Sequence, residues 1–157
     1  MKSTVILIPG GFPKASESIF QAISKTLAEK EYEVLVLEKA SWRDLESKVI
    51  RIASKILVGK SAGGRLVVEY QIRHKDAKAL ILLAAAVKAK EQIREIKIPV
   101  LIIHGTVDRV VPIDNSRELA KQFENSRLVE IQGADHSYKG KEQETAEIIA
   151  KWIDDIV

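Results

Sequence analysis

The sequence contains no cysteine. That excludes disulfides, cysteine nucleophiles and zinc–thiolate sites, and by itself says nothing about compartment. Long apolar runs are also missing: the longest, Ala79 to Val87, is about half of what a membrane span requires. Val5 to Ile8, behind Met1-Lys2, is too short for the apolar core of a secretory leader and stops at Pro9-Gly10-Gly11. A cytoplasmic location is therefore expected. No charge of one sign dominates, since the formal net charge is +3 with acidic and basic residues interspersed. Such a chain has no basic stripe for nucleic acid and no patch for a membrane surface. Repeats, linkers and low-complexity tracts are absent.

What is present is an ordinary globular composition, 46% hydrophobic and 30% charged. A chain of 157 residues is expected to form one domain, residues 1–157, burying about 70% of its unfolded surface. Val5–Ile8, Val34–Leu37, Lys55–Val58, Ala79–Leu83, Pro99–Ile103 and Leu128–Ile131 read as six strands. They are continuously apolar rather than alternating, as strands covered on both faces should be. Between them lie helical patterns: from about Ser16, with Ile19, Ile23 and Leu27; after a Ser41 cap, with Trp42, Leu45, Val49 and Ile52; and from Ser61 to about His74. Asp114 is expected to cap a helix carrying Leu119 and Phe123, and a last helix runs from about Glu142. Lys90 to Glu95 holds only a short helical segment. Alternation of this kind predicts an α/β fold, a doubly wound, mainly parallel six-stranded sheet with helices on both faces.

One pentapeptide organises the chain. Lys55 to Val58 breaks at Gly59-Lys60-Ser61-Ala62-Gly63 and resumes with helical spacing, the G-x-S-x-G pattern of a serine on a tight strand-to-helix turn. Gly59-Lys60-Ser61 is also the tail of a phosphate-binding loop, but that motif needs a glycine where Ser54 stands. The nucleotide reading fails there.

In a doubly wound fold the reactive loops gather beyond the carboxyl ends of the strands. Gly10-Gly11 after the first strand, Ser61 after the third, Asp108 after the fifth and His136 after the sixth all fall at that edge. A serine hydroxyl needs a base to become nucleophilic, and a histidine titrating near neutrality suits the task. A carboxylate on the far imidazole nitrogen fixes its tautomer. Ser61, Asp108 and His136 occur in the chain order expected of a hydrolase built on this turn. Two backbone N–H groups must face the developing oxyanion. Ala62 supplies one, and Gly11, with Phe12 as second choice, supplies the other.

Other residues compete for these roles. His74 closes a helix, where a cation is favourable. His104 ends the fifth strand and reads as a buried, hydrogen-bonded histidine. Asp135 is adjacent to His136, which makes its approach to the far nitrogen awkward. Lys60, Arg65, Arg109, Lys139 and Lys141 read as solvated surface cations, with a positive ring around the mouth of the site as the other reading.

These segments resemble the α/β-hydrolase superfamily. Val5 to Gly11 resembles its first core strand and oxyanion loop, and Gly59 to Arg65 its nucleophile elbow. Ile102 to Pro112 resembles its acid loop and Gly133-Ala134-Asp135-His136 its histidine loop. Among its members the chain is most similar to compact, lidless, dienelactone-hydrolase-like enzymes. It departs at Pro9, where the superfamily usually has a histidine, and in lacking the opening antiparallel strands and a substantial lid.

The resemblance and the residues together imply a serine hydrolase of small carboxylic esters, thioesters or lactones, acting without cofactor or metal. A hydrolase-fold binding or scaffold protein is the alternative. The expected partner is a small-molecule ester, not nucleic acid or membrane, and the protein is expected to be a monomer or homodimer. Without a lid, esters of roughly two to four acyl carbons should be preferred, because a longer chain gains little burial to offset its ordering.

Overall fold

The computed structural model describes residues 2–11, 17–88 and 90–157. Six strands form one sheet: β1 (Thr4–Ile8), β2 (Val34–Val36), β3 (Lys55–Lys60), β4 (Ala79–Leu83), β5 (Val100–Gly105) and β6 (Ser126–Ile131). Their order is β2-β1-β3-β4-β5-β6, and every pairing is parallel. The expected α/β architecture is therefore present, wholly rather than mainly parallel among the described strands. One register line runs Ile6, Leu57, Leu80, Val100.

The apolar strands are explained by the two faces they serve. Val5, Leu7, Ile56, Val58, Ile81 and Leu83 share a buried cluster with α1 (Ser18–Glu29) and α5 (Glu142–Ile156). The intervening Ile6, Ile8, Leu57, Leu80 and Leu82 pack with α2 (Trp42–Ser47), α3 (Ala62–His74) and α4 (Ile113–Ala120). Period-two side chains thus feed both layers, and the four inner strands have no polar face left. The chain moves outward from β1 to β2 and then returns to β3, so its direction of travel reverses between β1 and β3. Crevices for ligands form at such a switch point, outside the carboxyl ends of the strands.

Some boundaries differ from expectation. β3 extends through Gly59 and Lys60 into the elbow, and all six of its residues are buried. Ser41 does cap α2, its Oγ accepting from Asp44 N at 3.3 Å, but Val49 belongs to a separate 3₁₀ turn, Val49–Arg51. Lys90–Glu95 contains a 3₁₀ helix, Glu91–Glu95. Asp114 does not cap α4. Pro112 is the N-cap, and Asp114 stands one residue inside the first turn, where it pairs with Arg117 at 2.9 Å. A proline costs nothing at a helix start, whose N–H groups lack intrahelical acceptors, and a carboxylate in the first turn still favours the dipole. α1 begins at Ser18 with Glu17 as its N-cap; Ser16, where its start was expected, lies outside the described residues.

Candidate active site

The elbow is built by close approach. Ser61 has φ 52° and ψ −119°, a region non-glycine residues seldom occupy. Such strain persists only where the surroundings over-determine it, and here the flanking backbone does. A Cβ on Gly59 would fall 2.4 Å from Gly63 O, and one on Gly63 would fall 2.3 Å from Ile8 O. Glycine at those two positions lets the strand, the turn and the helix meet. The loop after β1 reaches the same point: a Cβ on Gly10 would stand 3.1 Å from Ser61 Cβ. Ala62 opens α3, so its N–H is one of those a helix leaves without an intrahelical acceptor. In the first loop Gly10 approaches it, a Cβ there falling 3.7 Å from Ala62 N, while Gly11 is exposed and Phe12 lies outside the described residues.

Asp108 and His136 come together. Oδ2 of Asp108 accepts from His136 Nδ1 at 2.8 Å, and Oδ1 accepts from Val110 N at 2.8 Å and Val111 N at 2.9 Å. Burial would raise the Asp108 carboxyl, but the bonds from His136, Val111 and Val110 outweigh it and hold it below its ordinary value. The carboxylate thus stays charged at the far nitrogen of the ring. With Nδ1 donating, the proton is assigned there, and Nε2 keeps a lone pair. Among the described residues no hydrogen bond joins Ser61 Oγ to His136. The histidine loop is held from behind by Tyr138, whose hydroxyl donates to Ile103 O at 2.7 Å; burial pushes this phenol far above its ordinary value.

The rival residues are otherwise engaged. Asp135 Oδ1 accepts from Ser137 N at 2.9 Å and Lys139 N at 3.1 Å, so it shapes the loop that carries His136. His74 Nε2 contacts Glu46 Oε1 at 2.6 Å, far along α3 from the elbow. His104 is buried, with Nδ1 2.6 Å from Ser116 Oγ and Nε2 2.8 Å from Val111 O. Its Nε2 also stands 3.2 Å from Asp108 Oδ2, so it braces the acid from the β5 side.

Lys60 overturns the surface reading. Its side chain is 1% exposed and reaches Glu17 Oε2 at 3.3 Å, while Glu17 is itself only 7% exposed. Glu17 Oε1 has no hydrogen-bond partner among the described residues. Burial pushes this carboxyl up, and the charge and hydrogen bond of Lys60 offset only part of that. Lys60 directly precedes Ser61 in the chain, which places the pair next to the elbow. Lys60 ends a fully buried strand, and that was the available signal; nothing in the sequence marks Glu17. No group of three or more His, Asp or Glu side chains suited to a metal ion occurs among the described residues. No helix there is long and apolar enough to cross a membrane.

Comparison with known proteins bears on the whole arrangement. The model of the alpha/beta hydrolase family matches residues 4–145. The AB hydrolase superfamily protein YisY of Bacillus subtilis is 36% identical over 56 residues, a match taking in 34% of this chain and 21% of YisY. Est1E from Butyrivibrio proteoclasticus superposes with a TM-score of 0.82 at 20% identity, over 98% of this chain and 88% of Est1E. The esterase domain of a Rhodothermus marinus protein gives a TM-score of 0.77 at 19% identity, over 96% of this chain and 85% of that domain. These two likenesses are of fold. Together with the family model, which covers most of the sequence, they lead to one statement: the chain belongs to the alpha/beta hydrolase family.

Proposed function

We propose that the protein is a serine-dependent hydrolase of carboxylic esters, thioesters and lactones included, with Ser61 as nucleophile, His136 as base and Asp108 orienting it. The observation that carries this reading is the 2.8 Å bond from His136 Nδ1 to Asp108 Oδ2, at the sheet edge that also presents Ser61. His136 Nε2 takes the Ser61 proton as Oγ bonds to the ester carbonyl carbon. The N–H groups of Ala62 and Gly11 receive the negative charge that develops on the carbonyl oxygen. Collapse of the tetrahedral intermediate breaks the bond to the leaving alcohol, which takes the proton from Nε2, and an acyl-enzyme remains. Water then attacks the acyl carbon, with Nε2 again accepting and returning the proton, and the free acid departs.

That no hydrogen bond joins Ser61 Oγ to His136 among the described residues is no obstacle, because catalytic hydrogen bonds are often loose before substrate arrives. The fold is shared with an esterase domain, which supports the reading by analogy. The test is hydrolysis of p-nitrophenyl acetate and butyrate by the wild type and by Ser61→Ala. Turnover should fall by about 10⁴-fold or more in the variant. A folded wild type that releases p-nitrophenol no faster than buffer would leave a hydrolase-fold binding protein as the better reading.

A further inference from the structure

A cleft of about 600 Å³ opens between the start of α3 and the loops after β4 and β5. Its apolar lining comes from Val68, Val87, Val110, Val111 and Pro112, with Arg65 and Lys88 among its polar residues. Both walls are tied to the candidate site. Ala86 N donates to Ser61 O at 3.1 Å, and Asn115 Nδ2 to Ala85 O at 2.7 Å. On the opposite wall, Val110 and Val111 are the residues whose N–H groups hold Asp108. A substrate seated at Ser61 therefore has this cleft beside it.

Two further observations describe what would fit. Val107 and Val110 are among the few large apolar side chains that stand exposed, Val110 at 67%, and they flank Asp108. Solvent-facing valines on a loop beside a reactive site form an apolar lip rather than a core. The charge in the cleft is uneven. Lys90 is paired with Glu69, which cancels both, whereas Arg65 and Lys88 have no ion-pair partner among the described residues. Arg65 stands one helical turn past the elbow, about 6 Å along the axis. Two cations without ion-pair partners among the described residues, in the lining of an otherwise largely apolar trough, match an arm that is apolar along its length and carries an anion.

We infer that this cleft takes the non-reacting arm of an ester substrate bearing a terminal carboxylate, which Arg65 and Lys88 receive. The inference rests on the ester-hydrolase reading for the identity of the reacting group. Each methylene adds only about 0.8 kcal/mol even when fully buried, so discrimination comes from the charged end.

The test uses two amides that differ only at the far end, adipamate (the half-amide of adipic acid, as its carboxylate) and hexanamide. Neither depends on turnover. Binding to the wild type is followed by ¹H–¹⁵N shifts at low salt. Adipamate should bind about fivefold more tightly, the size expected of solvent-facing charge pairs, with shifts at Val87, Val110 and Val111. The difference should vanish in 0.5 M NaCl, because screening removes it, and in Arg65→Gln/Lys88→Gln. Equal affinities overturn the inference. So does an adipamate preference that survives the double substitution, since the carboxylate would then lie at the elbow. Fluorophosphonate labelling of the same sample reports separately on Ser61, so failure of the hydrolase reading and failure of this one are distinguishable.

Discussion

β3 carries a buried lysine at each end, and the two are treated differently. At the amino end, Lys55 donates to Val49 O at 3.1 Å, Tyr70 OH at 3.0 Å and Asp76 Oδ2 at 2.8 Å. All three donors of its ammonium are used, and Asp76 is 37% exposed, although its Oδ1 is buried without a hydrogen-bond partner among the described residues. At the carboxyl end, Lys60 has, among the described residues, one bond at 3.3 Å, to a buried carboxylate whose other oxygen is an orphan there. Burying an ion pair is costly unless its remaining donors and acceptors are satisfied. Each carboxylate keeps one orphan oxygen among the described residues, so the edges differ in the cation: Lys55 has three acceptors and Lys60 one. The contrast teaches that the fully bonded cation lies at one edge of the sheet, while the sparsely bonded cation and the strained Ser61 lie together at the other. That is the usual partition between scaffold and site.

The largest effect expected at the carboxyl edge is from Asp108→Asn. It should leave the protein folded and cut ester turnover by about 10⁴-fold, because an amide can no longer hold the required imidazole tautomer. Asp114→Asn should be nearly silent in the same assay, since Asp114 contacts only exposed Arg117. Turnover that survives Asp108→Asn and is lost in Asp135→Asn would move the acid to Asp135.

Next in size is the pair of lysine substitutions. Lys55→Met removes a fully satisfied cation and should cost about 3 kcal/mol. That corresponds to a fall in Tm of roughly 6–12 °C. Turnover per folded molecule should stay within about twofold, because the site is at the other end of the strand. Lys60→Met should do the reverse. Glu17 can take up a proton rather than remain an unpaired buried anion, so the loss of Tm is smaller. The elbow and the first loop lose their tie, and kcat should fall about tenfold or more with little change in KM. Equal losses of Tm with unchanged kcat in both variants would erase the distinction between the edges.

How far the site could be read from the sequence follows the same division. The six strands, their parallel arrangement and the carboxyl-edge placement of Ser61, Asp108 and His136 were legible because apolar runs and glycine turns are local signals. His104 was legible as a buried histidine for the same reason. Lys60 was misread as a surface cation, since Gly59 before it looks like the end of the strand, whereas β3 runs on through Lys60 and buries it. Its partner Glu17 lies 43 positions away in sequence. Asp114 was misplaced by two positions because Pro112 and Asp114 both favour a helix start, and only backbone geometry separates them. Strand ends were short for a related reason: Gly59 and Lys60 look like a turn, yet both pair in the sheet.

The smallest effect expected is on pH dependence, and its sign differs between two carboxylates. Asp108 is held below its ordinary value, so its contribution to stability is present above about pH 3.9 and lost as pH falls through the folded value. Glu17 is raised. Above about pH 4.3 the unfolded chain gives up this proton before the folded one does, so stability declines as pH rises through the folded value. Urea midpoints across pH 3–8 should show the acid-side rise weakened in Asp108→Asn and the later decline flattened in Glu17→Gln. Parallel profiles in wild type and Glu17→Gln would mean that Glu17 carries no such burial cost.

The most direct measurement of the central claim is labelling with a fluorophosphonate probe, followed by mass spectrometry of the adduct. An activated serine should be modified without any knowledge of the physiological ester. The account predicts a single adduct on Ser61, absent in Ser61→Ala and strongly slowed in His136→Ala. A folded wild-type protein left unmodified, or modified at another serine, would contradict it.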